Sequence, residues 1–430
     1  MTTETLGPLA PLKNPNFRLL LAGFAIGQML MPLQFITQIL WVQATAPRDV
    51  WLILVAFIAT SRGLGALAFG LYGGALADRF NRQRLLLLMQ SLQIITTLAI
   101  AGLMYFSIGG WIGFTVFFIL TFLSSGLQSI DAPTRLAIVP DVLGPQLTPS
   151  GMSLNQVAGQ VAMPLAMMVT GLTIDLMGFS GAYALTVVGH LLAIILIGLM
   201  QYQASTPSSQ QPGQAYGFLQ IKTDIKVGLS YARNQPVVLW IIILLVLMMS
   251  LGYPATASLG PTWVTTVVGV PIHRMGFVVM FWGIGSLMAA LLLARFSNIV
   301  HRGATIGFGA LLFCVGFIIL VFSKQEINLM IGNFGLGAGM TTLMVSSTIL
   351  IQHIVPNEIR GRIMSLFQLN MAFAQLMTMP IALLGQWFTL AVVFPILSYA
   401  TFAIVIVVLV SQPQLIRAKI HLPRSGNPLA

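Results

Sequence analysis

Long apolar runs separated by short polar connections fill most of the 430-residue chain. A hydrocarbon layer of ~30 Å is crossed by ~20 helical residues, and twelve runs reach that length. The predicted spans are approximately 17–41, 50–77, 85–107, 111–131, 151–174, 180–201, 237–263, 275–294, 303–322, 327–351, 363–387 and 390–411. Because the period-two alternation of membrane strands is missing, the pattern predicts an all-α membrane protein with twelve transmembrane helices.

The composition leaves little room for other classes of protein. Hydrophobic residues make up 57% of the chain and charged residues 7%, whereas soluble domains carry about 25% charged residues. Soluble enzymes, disordered proteins and nucleic-acid binders with exposed basic faces are therefore excluded. One cysteine, Cys314, rules out an internal disulfide or a cysteine-cluster metal site. We expect no cofactor and no metal.

A polar, low-complexity stretch at residues 202–215 divides the chain between the sixth and seventh spans. Such composition behaves as a linker, since it has little apolar surface to bury. Residues 222–236, which follow it closely, look amphipathic, and this predicts a short helix on the cytoplasmic membrane surface. The predicted organisation is a six-helix bundle at 1–201, a linker at 202–236, and a second bundle with a tail at 237–430.

The two halves look like copies of one another. Ile138-Val139-Pro140-Asp141 matches Ile354-Val355-Pro356-Asn357, which lies 216 residues later, and two shorter matches follow in the same order. Those matches are Met152-Ser153-Leu154 with Met364-Ser365-Leu366, and Met163-Pro164 with Met379-Pro380. Two six-helix halves related by an axis along the membrane normal are typical of transporters, whose substrate path runs between the halves.

The basic residues indicate the orientation of the chain. Sixteen lysines and arginines fall in the N-terminus, the even-numbered connections and the C-terminal tail, whereas three fall in the odd-numbered connections. Basic residues collect on the cytoplasmic side, so both termini are predicted to be cytoplasmic. The net charge of +11 therefore indicates orientation and not a nucleic-acid partner.

The connection between spans 2 and 3 reads Gly74-Ala75-Leu76-Ala77-Asp78-Arg79-Phe80-Asn81-Arg82-Gln83-Arg84. It resembles the signature loop of the major facilitator superfamily: a glycine, an Asp-Arg pair four residues later, then a basic cluster. Asn81 replaces the usual glycine, and Gln83 replaces one of the usual basic residues. Residues 218–236 and 355–365 look like those of a bacterial exporter branch, which includes enterobactin exporters and macrolide efflux proteins.

The same loop carries a candidate conformational latch. Asp78 and Arg82 are four residues apart, as are Asp131 and Arg135 at the end of span 4, and such pairs can hold one conformation and break in another. The resemblance implies that Asp78, Arg82 and Asp131 latch the outward-facing state, with Gly74 and Arg79 in the same motif. In the alternative, the arginines only set the topology and the aspartates neutralise them.

Arg62 is the one basic residue predicted to lie inside a span. A central arginine costs at least ~2.5–3.5 kcal/mol to insert, so it should face water or a partner. It is either a contact for an anionic or carbonyl-rich substrate or a structural arginine bonded to helix carbonyls.

Other polar side chains inside the spans are substrate-path candidates. Spans 1, 4, 7 and 10 line the central cavity in the superfamily, and the resemblance favours their polar faces. The alternative is ordinary hydrogen bonding between helices. The candidates are Gln34, Gln38, Gln128, Tyr253, Asn333, Gln368 and Gln375.

The energy source is open at this point. The chain has nine acidic residues, and none falls near the middle of a predicted span, where a proton-coupled transporter usually places one. His190 in span 6 could titrate instead, or it could be hydrogen-bonded support for the helices. Protons therefore stay a candidate coupling ion.

Together these features predict a secondary transporter that works by alternating access. We expect a monomer in a bacterial inner membrane that exports amphipathic small molecules, of the drug or siderophore type. The alternatives are a transport-inactive scaffold or sensor and a facilitator that imports a small organic solute. Export has little support from span 5, because Met163 and Met168 stand where exporters carry glycines. We expect no enzyme, because the common catalytic motifs for membrane hydrolases are missing.

Overall fold

The computed structural model describes residues 9–108, 110–201, 227–296 and 299–419, and no strand occurs among them. Twelve long helices follow one another in these ranges, as the apolar runs predict. They are α1 (Pro15–Thr45), α2 (Trp51–Arg79), α3 (Arg82–Tyr105), α4 to α6 within Gly110–Gly198, α7 (from Pro236–Tyr253), α8 (Ile272–Arg295), α9 (Arg302–Phe322), α10 (Glu326–Ile354), α11 (Asn357–Phe388) and α12 (Leu390–Ser411).

Two glycines divide the stretch from Gly110 to Gly198 into three helices. Gly144 and Gly178 adopt φ angles of 72° and 69°, a left-handed region that glycine enters without steric cost. Helices α4, α5 and α6 therefore occupy residues 110–143, 145–177 and 179–198. The helices α4 and α5 extend beyond the predicted spans because Pro145 begins α5, a position where proline needs no hydrogen-bond partner for its nitrogen.

Helix α7 changes its winding near its end. Regular α-helix ends at Tyr253, and wider π-turns follow at Pro254–Ser258 and Trp263–Val267. Pro254 and Pro261 each lack a backbone N–H, so the regular hydrogen-bond ladder cannot continue through them. The predicted span 237–263 is thus continuous in the chain but not in its helical geometry.

Nine helical stretches of the described residues are long and apolar enough to cross a membrane, and one of them is the stretch that contains α4 to α6. Length, apolar composition and twelve consecutive helices confirm the predicted all-α class, and the chain is an integral membrane protein. The linker prediction falls on residues 202–226, which lie outside the described residues. Residues 227–234 form a short helix.

Contacts divide the chain into two compact units. The first unit holds the described part of residues 1–217, together with Ser258–Met280 and Thr378–Trp387. The second unit holds the rest of the later half. The ends of α7 and α11 and the start of α8 thus pack with the earlier half of the chain.

Glycines let helices cross closely in both units. In the first unit, a Cβ on Gly65 of α2 would lie 2.2 Å from the carbonyl oxygen of Phe122 in α4. In the second, a Cβ on Gly285 of α8 would lie 2.2 Å from the carbonyl oxygen of Phe334 in α10. The second and fourth helices of each half therefore meet at a glycine, in keeping with the internal repeat. Small residues are what allow backbones to approach in membranes.

Candidate functional site

Arg62 lies in α2 with only 7% of its surface exposed. One of its guanidinium nitrogens donates to Oε1 of Gln128 in α4 at 3.3 Å. The guanidinium carbon also lies 5.2 Å from the centre of the Phe35 ring in α1, a cation–π distance. Phe35 and Gln128 are half-buried, so the arginine head lies between an aromatic face and an amide.

The hydrogen bonds continue from Gln128 into the interior of the first unit. Nε2 of Gln128 donates to Oε1 of Gln34 in α1 at 3.3 Å. Nε2 of Gln34 lies 3.0 Å from the Thr186 hydroxyl, 3.3 Å from the Thr97 hydroxyl and 3.4 Å from Nε2 of His190. Gln34 is fully buried. It therefore joins α4 to α3 and α6.

His190 connects this group of residues to an ion pair near the end of α4. Nδ1 of His190 lies 2.7 Å from Oε1 of Gln90 in α3, and Nε2 of Gln90 donates to Asp131 at 2.9 Å. Asp131 in turn accepts from Nε of Arg135 at 2.6 Å. A continuous chain of hydrogen bonds thus runs from Arg62 to Arg135 through five other side chains. We call these seven residues the polar chain.

Gln38 forms a separate contact, one turn along α1 from Gln34. Its Nε2 donates to the Tyr183 hydroxyl at 2.9 Å and lies 3.4 Å from the Thr121 hydroxyl. Gln38 is 1% exposed. Gln38 thus bonds the helices of the first unit to one another, as the hydrogen-bonding alternative expects.

The basic loop and the end of α4 form a second ion pair. Arg82 donates to Asp141 at 2.7 Å and to the Ala137 carbonyl oxygen at 2.8 Å. Only 25% and 12% of the two charged side chains are exposed, so this pair is partly desolvated. The described side chains therefore join Arg82 to Asp141 and Asp131 to Arg135, whereas the latch hypothesis groups Arg82 with Asp131. The side chains of Gly74, Asp78 and Arg79 lie outside the described residues.

The two departures from the signature loop have roles in the local structure. Asn81 caps α3, because its side chain accepts from the backbone N–H of Arg84, a preferred use of asparagine. Its φ of −59° is not left-handed, so glycine is not needed there. Gln83 donates to the carbonyl oxygens of Ile197 and Met200 and so ties the start of α3 to the end of α6.

The path candidates of the second half form no cluster comparable to the polar chain among the described contacts. Asn333 donates to the Leu329 carbonyl of its own helix at 2.9 Å. Tyr253 and Gln375 are half-buried. The side chain of Gln368 lies outside the described residues.

Three contacts in the first unit join the ends of α1, α2 and α5 to segments of the later half. Gln43 and Thr265 form a hydrogen bond of 3.1 Å, and Gln386 donates to the Asp49 carbonyl at 2.7 Å. A Cβ on Gly276 would lie 2.5 Å from the Met167 carbonyl oxygen, so α5 and α8 cross backbone to backbone. The first two contacts lie beside odd-numbered connections, whereas Met167 lies in the interior of α5.

The sequence model that describes the Major Facilitator Superfamily matches residues 17–303, more than half of the chain. The chain belongs to the Major Facilitator Superfamily. The chain also matches a second family model, described as sugar (and other) transporter, over residues 235–413. Members of the superfamily carry small-molecule substrates.

Individual relatives match a small part of this chain in sequence, whereas solved structures match nearly all of it in fold. The hexose transporters HXT13 and HXT17 of Saccharomyces cerevisiae are each 34% identical over 103 residues, which cover 23% of this chain and 18% of theirs. A variant of the nucleoside transporter NupG superposes with a TM-score of 0.72 at 14% identity, over 94% of this chain and 100% of that one. A D-xylose-proton symporter superposes with a TM-score of 0.68 at 15% identity, and the match covers 92% of this chain and 97% of the symporter. The structural neighbours show the fold alone.

Sequence reasoning missed Asp141, Gln90 and Phe35 as members of the site. Asp141 carries a weak signal, because its counterpart in the internal repeat is Asn357, so only the first half keeps the charge. Gln90 and Phe35 carry no signal, because their roles depend on which face of α3 meets α4 and on how α1 meets α2. Those contacts are set by tertiary packing.

The ion pair of Arg82 and Asp141 gives a first prediction for this protein. If the pair stabilises one conformation of the transport cycle, Asp141→Asn and Arg82→Gln should each slow transport about ten-fold, within the usual range of conformational coupling. The double variant should be no slower than either single variant, because both remove the same interaction. The measurement is the initial rate of uptake or efflux in proteoliposomes.

The matched control is Arg84→Gln, because Arg84 is an exposed arginine of the same loop. Its transport rate should stay close to that of the parent. Additive losses in the double variant, or an equal loss in the Arg84 control, would show that the pair has no specific role.

Proposed function

We propose that this chain is a secondary transporter that works by alternating access and exports amphipathic small molecules bearing a carboxylate or carbonyl group. The observation that carries the proposal is Arg62, an arginine buried in the interior of α2. Burying a charge is costly unless the protein or its ligand uses it. Because guanidinium groups bind carboxylates in a planar, bidentate way, a substrate contact is the use that we favour.

The neighbours of Arg62 suit an amphipathic ligand. Phe35 offers an apolar, aromatic surface on one side of the guanidinium, and Gln128 offers an amide on the other. Both side chains are half-buried and therefore accessible in part. A ligand with an apolar body and an anionic or carbonyl group would contact the ring with its body and Arg62 with its polar group.

A polar solute is the second candidate substrate. The 103 residues that match the hexose transporters, and the match to the sugar transporter model, favour it. The solved structures with the same fold include a nucleoside transporter, a peptide transporter and a D-xylose-proton symporter. A panel of drugs, siderophores, sugars and nucleosides tested in proteoliposomes, with and without a proton gradient, separates the two candidates and the direction of transport.

Arg62 gives the second prediction. Arg62→Gln should weaken the binding of carboxylate or carbonyl ligands about ten-fold or more, because it removes hydrogen bonds from a charged donor. Arg62→Lys should recover only part of the affinity, since an ammonium group offers a point charge in place of a planar fork. Equilibrium binding to purified protein in nanodiscs measures both.

Thermal stability separates the substrate contact from a structural role. Under this proposal, Arg62→Gln changes affinity more for anionic ligands than for neutral ones and keeps its melting temperature close to the parent value. Equal affinity for all ligands, with a lower melting temperature, would make Arg62 a structural arginine.

We also propose that the contacts of Gln43 with Thr265 and of Gly171 with Gly276 close the outer side of the transport path. A Cβ on Gly171 would lie 2.5 Å from the Ile272 carbonyl oxygen, so the helices meet there with no side chain between them. Alternating access requires such a contact to open once in every cycle. The latch of Asp78, Arg82 and Asp131, extended to Asp141, is proposed to act at the opposite side.

Crosslinking tests the outer contact and is the third prediction. Cysteines replacing Gln43 and Thr265 in a Cys314→Ser background should be bridged by a short, cleavable thiol crosslinker. Bridging should stop transport, and reduction should restore it, because the contact could then no longer open. The single-cysteine variants treated in the same way are the control. Transport at the parent rate in bridged protein would exclude this contact from the gate.

The orientation is the fourth prediction. We propose that the protein lies in the inner membrane of a bacterium with both termini and the linker in the cytoplasm. Sixteen basic residues fall in the termini and the even-numbered connections, and basic residues collect on the cytoplasmic side. A cysteine replacing Ser208 in the Cys314→Ser background should resist an impermeant thiol reagent in intact cells and react after the cells are opened. Rapid labelling of intact cells would reverse the orientation and, with it, the side assigned to the gate.

A further inference from the structure

The polar chain has two ends whose hydrogen-bonding roles are fixed. At one end, the guanidinium of Arg62 can only donate. At the other end, Asp131 is paired with Arg135, and its carboxylate can only accept. Between them lie three glutamines and one histidine, whose orientations could otherwise vary. The fixed ends therefore decide which atom of each residue in between donates.

The roles can be followed from Asp131 to the histidine. Because Asp131 accepts, Gln90 presents its NH₂ group to Asp131 and its Oε1 to His190. An amide oxygen only accepts, so Nδ1 of His190 must carry a hydrogen. In a neutral imidazole, Nε2 is then an acceptor.

The roles can also be followed from Arg62, and they agree. Arg62 donates to Oε1 of Gln128, and the NH₂ group of Gln128 donates to Oε1 of Gln34. Gln34 is left with its NH₂ group directed at Nε2 of His190. Both directions thus meet at a neutral His190 with its hydrogen on Nδ1.

From this polarity we propose that His190 is a proton-binding site that controls the hydrogen bond between Arg62 and Gln128. The proposal rests on the proposed function in one respect, namely that Arg62 contacts the substrate. It assigns the titrating role to an imidazole, in a chain where no acidic residue falls near the middle of a predicted span.

The consequence of protonation follows residue by residue. A proton from water adds to Nε2 of His190, which becomes a donor and opposes the NH₂ group of Gln34. Gln34 relieves the conflict by turning its amide, so that its oxygen accepts from Nε2 and its NH₂ group faces Gln128. Gln128 must then turn as well, and its NH₂ group faces the guanidinium. Two donors cannot bond, so Arg62 loses its bond to Gln128.

The other contacts of Gln34 respond to this change in different ways. The hydroxyl of Thr97, which lies near Nε2 of Gln34, can donate or accept and adapts to either amide orientation. The hydroxyl of Thr186 already donates to the Tyr183 carbonyl oxygen at 2.7 Å, so it bonds the turned amide only by giving up that bond. Nδ1 of His190 donates to Gln90 in both protonation states, so the bonds to Asp131 and Arg135 stay unchanged. The effect of the proton therefore passes towards Arg62 only.

The groups packed around the imidazole are consistent with a site for one proton. The charged groups that act on it are Asp131 and Arg135 of α4, whose opposite charges attract and repel an imidazolium. The side chains that contact it from α1 and α3 are the neutral Gln34 and Gln90. His190 is 4% exposed, so burial opposes the charged imidazolium, and a bound proton depends on the carboxylate of Asp131 for its stabilisation.

The experiment, which is the fifth prediction, titrates His190 in the full chain in nanodiscs by NMR of ¹⁵N-labelled histidine. The chain has five histidines, and the signal missing from His190→Gln identifies this one. The imidazole should bind one proton as the pH is lowered through the range in which the protein stays folded. In Gln128→Leu its midpoint should rise by about half to one pH unit, the worth of one hydrogen bond, because Gln34 can turn without opposing Arg62.

The matched control is Gln93→Leu. Gln93 is a buried glutamine of α3 that bonds Ser124 and lies outside the polar chain, so its replacement should leave the midpoint unchanged. A histidine that does not titrate in this range would overturn the proposal. Equal midpoints in the parent, Gln128→Leu and Gln93→Leu proteins would overturn it as well.

A second measurement connects the site to transport. With a substrate found in the panel, His190→Gln should lower gradient-driven accumulation at least ten-fold relative to counterflow, which requires no net proton movement. Accumulation and counterflow that fall in parallel would overturn the coupling role. The NMR titration needs no substrate, so a failure of the proposed function and a failure of the proton site are distinguishable.

Discussion

The structure depends on the need of the buried glutamines in α1 and α3 for hydrogen-bond partners on other helices. Water is absent from the hydrocarbon layer, and an unpaired polar group there costs several kcal/mol. In the first unit this need is met by long-range pairs such as Gln34 with Thr186 and Gln38 with Tyr183. Those bonds fix how the helices face one another, and the helix faces in turn bring Arg62, Phe35 and Gln128 together.

The fold was predictable from the sequence because its main signal is local. Twelve apolar runs of the right length become twelve helices, since hydrocarbon leaves a chain few other ways to satisfy its backbone. Boundaries were less predictable where glycine and proline act together. The predicted spans leave residues 132–150, which include four prolines, as a connection, but only Gly144 leaves the helical region there. Pro133 and Pro140, which precede Gly144, lie within α4.

The site was predictable in part, and the limit has a physical reason. Arg62, Asp131 and Gln128 could be selected because a charged or amide group inside an apolar run is conspicuous. The partners of these residues depend on the rotation of each helix about its axis, which sequence spacing does not give. Arg82 could therefore be expected to pair with an acidic residue of α4, but the choice of Asp141 over Asp131 follows from the packing of α3 on α4.

One feature of the first half bears on how the protein responds to its solution. The ends of its helices are held by neutral amides: Asn16 exchanges two hydrogen bonds with Gln201, Asn14 donates to Val142, and Gln83 donates to Ile197 and Met200. Beside them, Arg82 and Asp141 form a bond between full charges, as Asp131 and Arg135 do further back along α4. Dissolved ions screen charges far more than they weaken amide bonds. A change of ionic strength is therefore expected to act on the pair of Arg82 and Asp141 more than on the amide bonds, and less than on a fully exposed pair, because both side chains are partly desolvated.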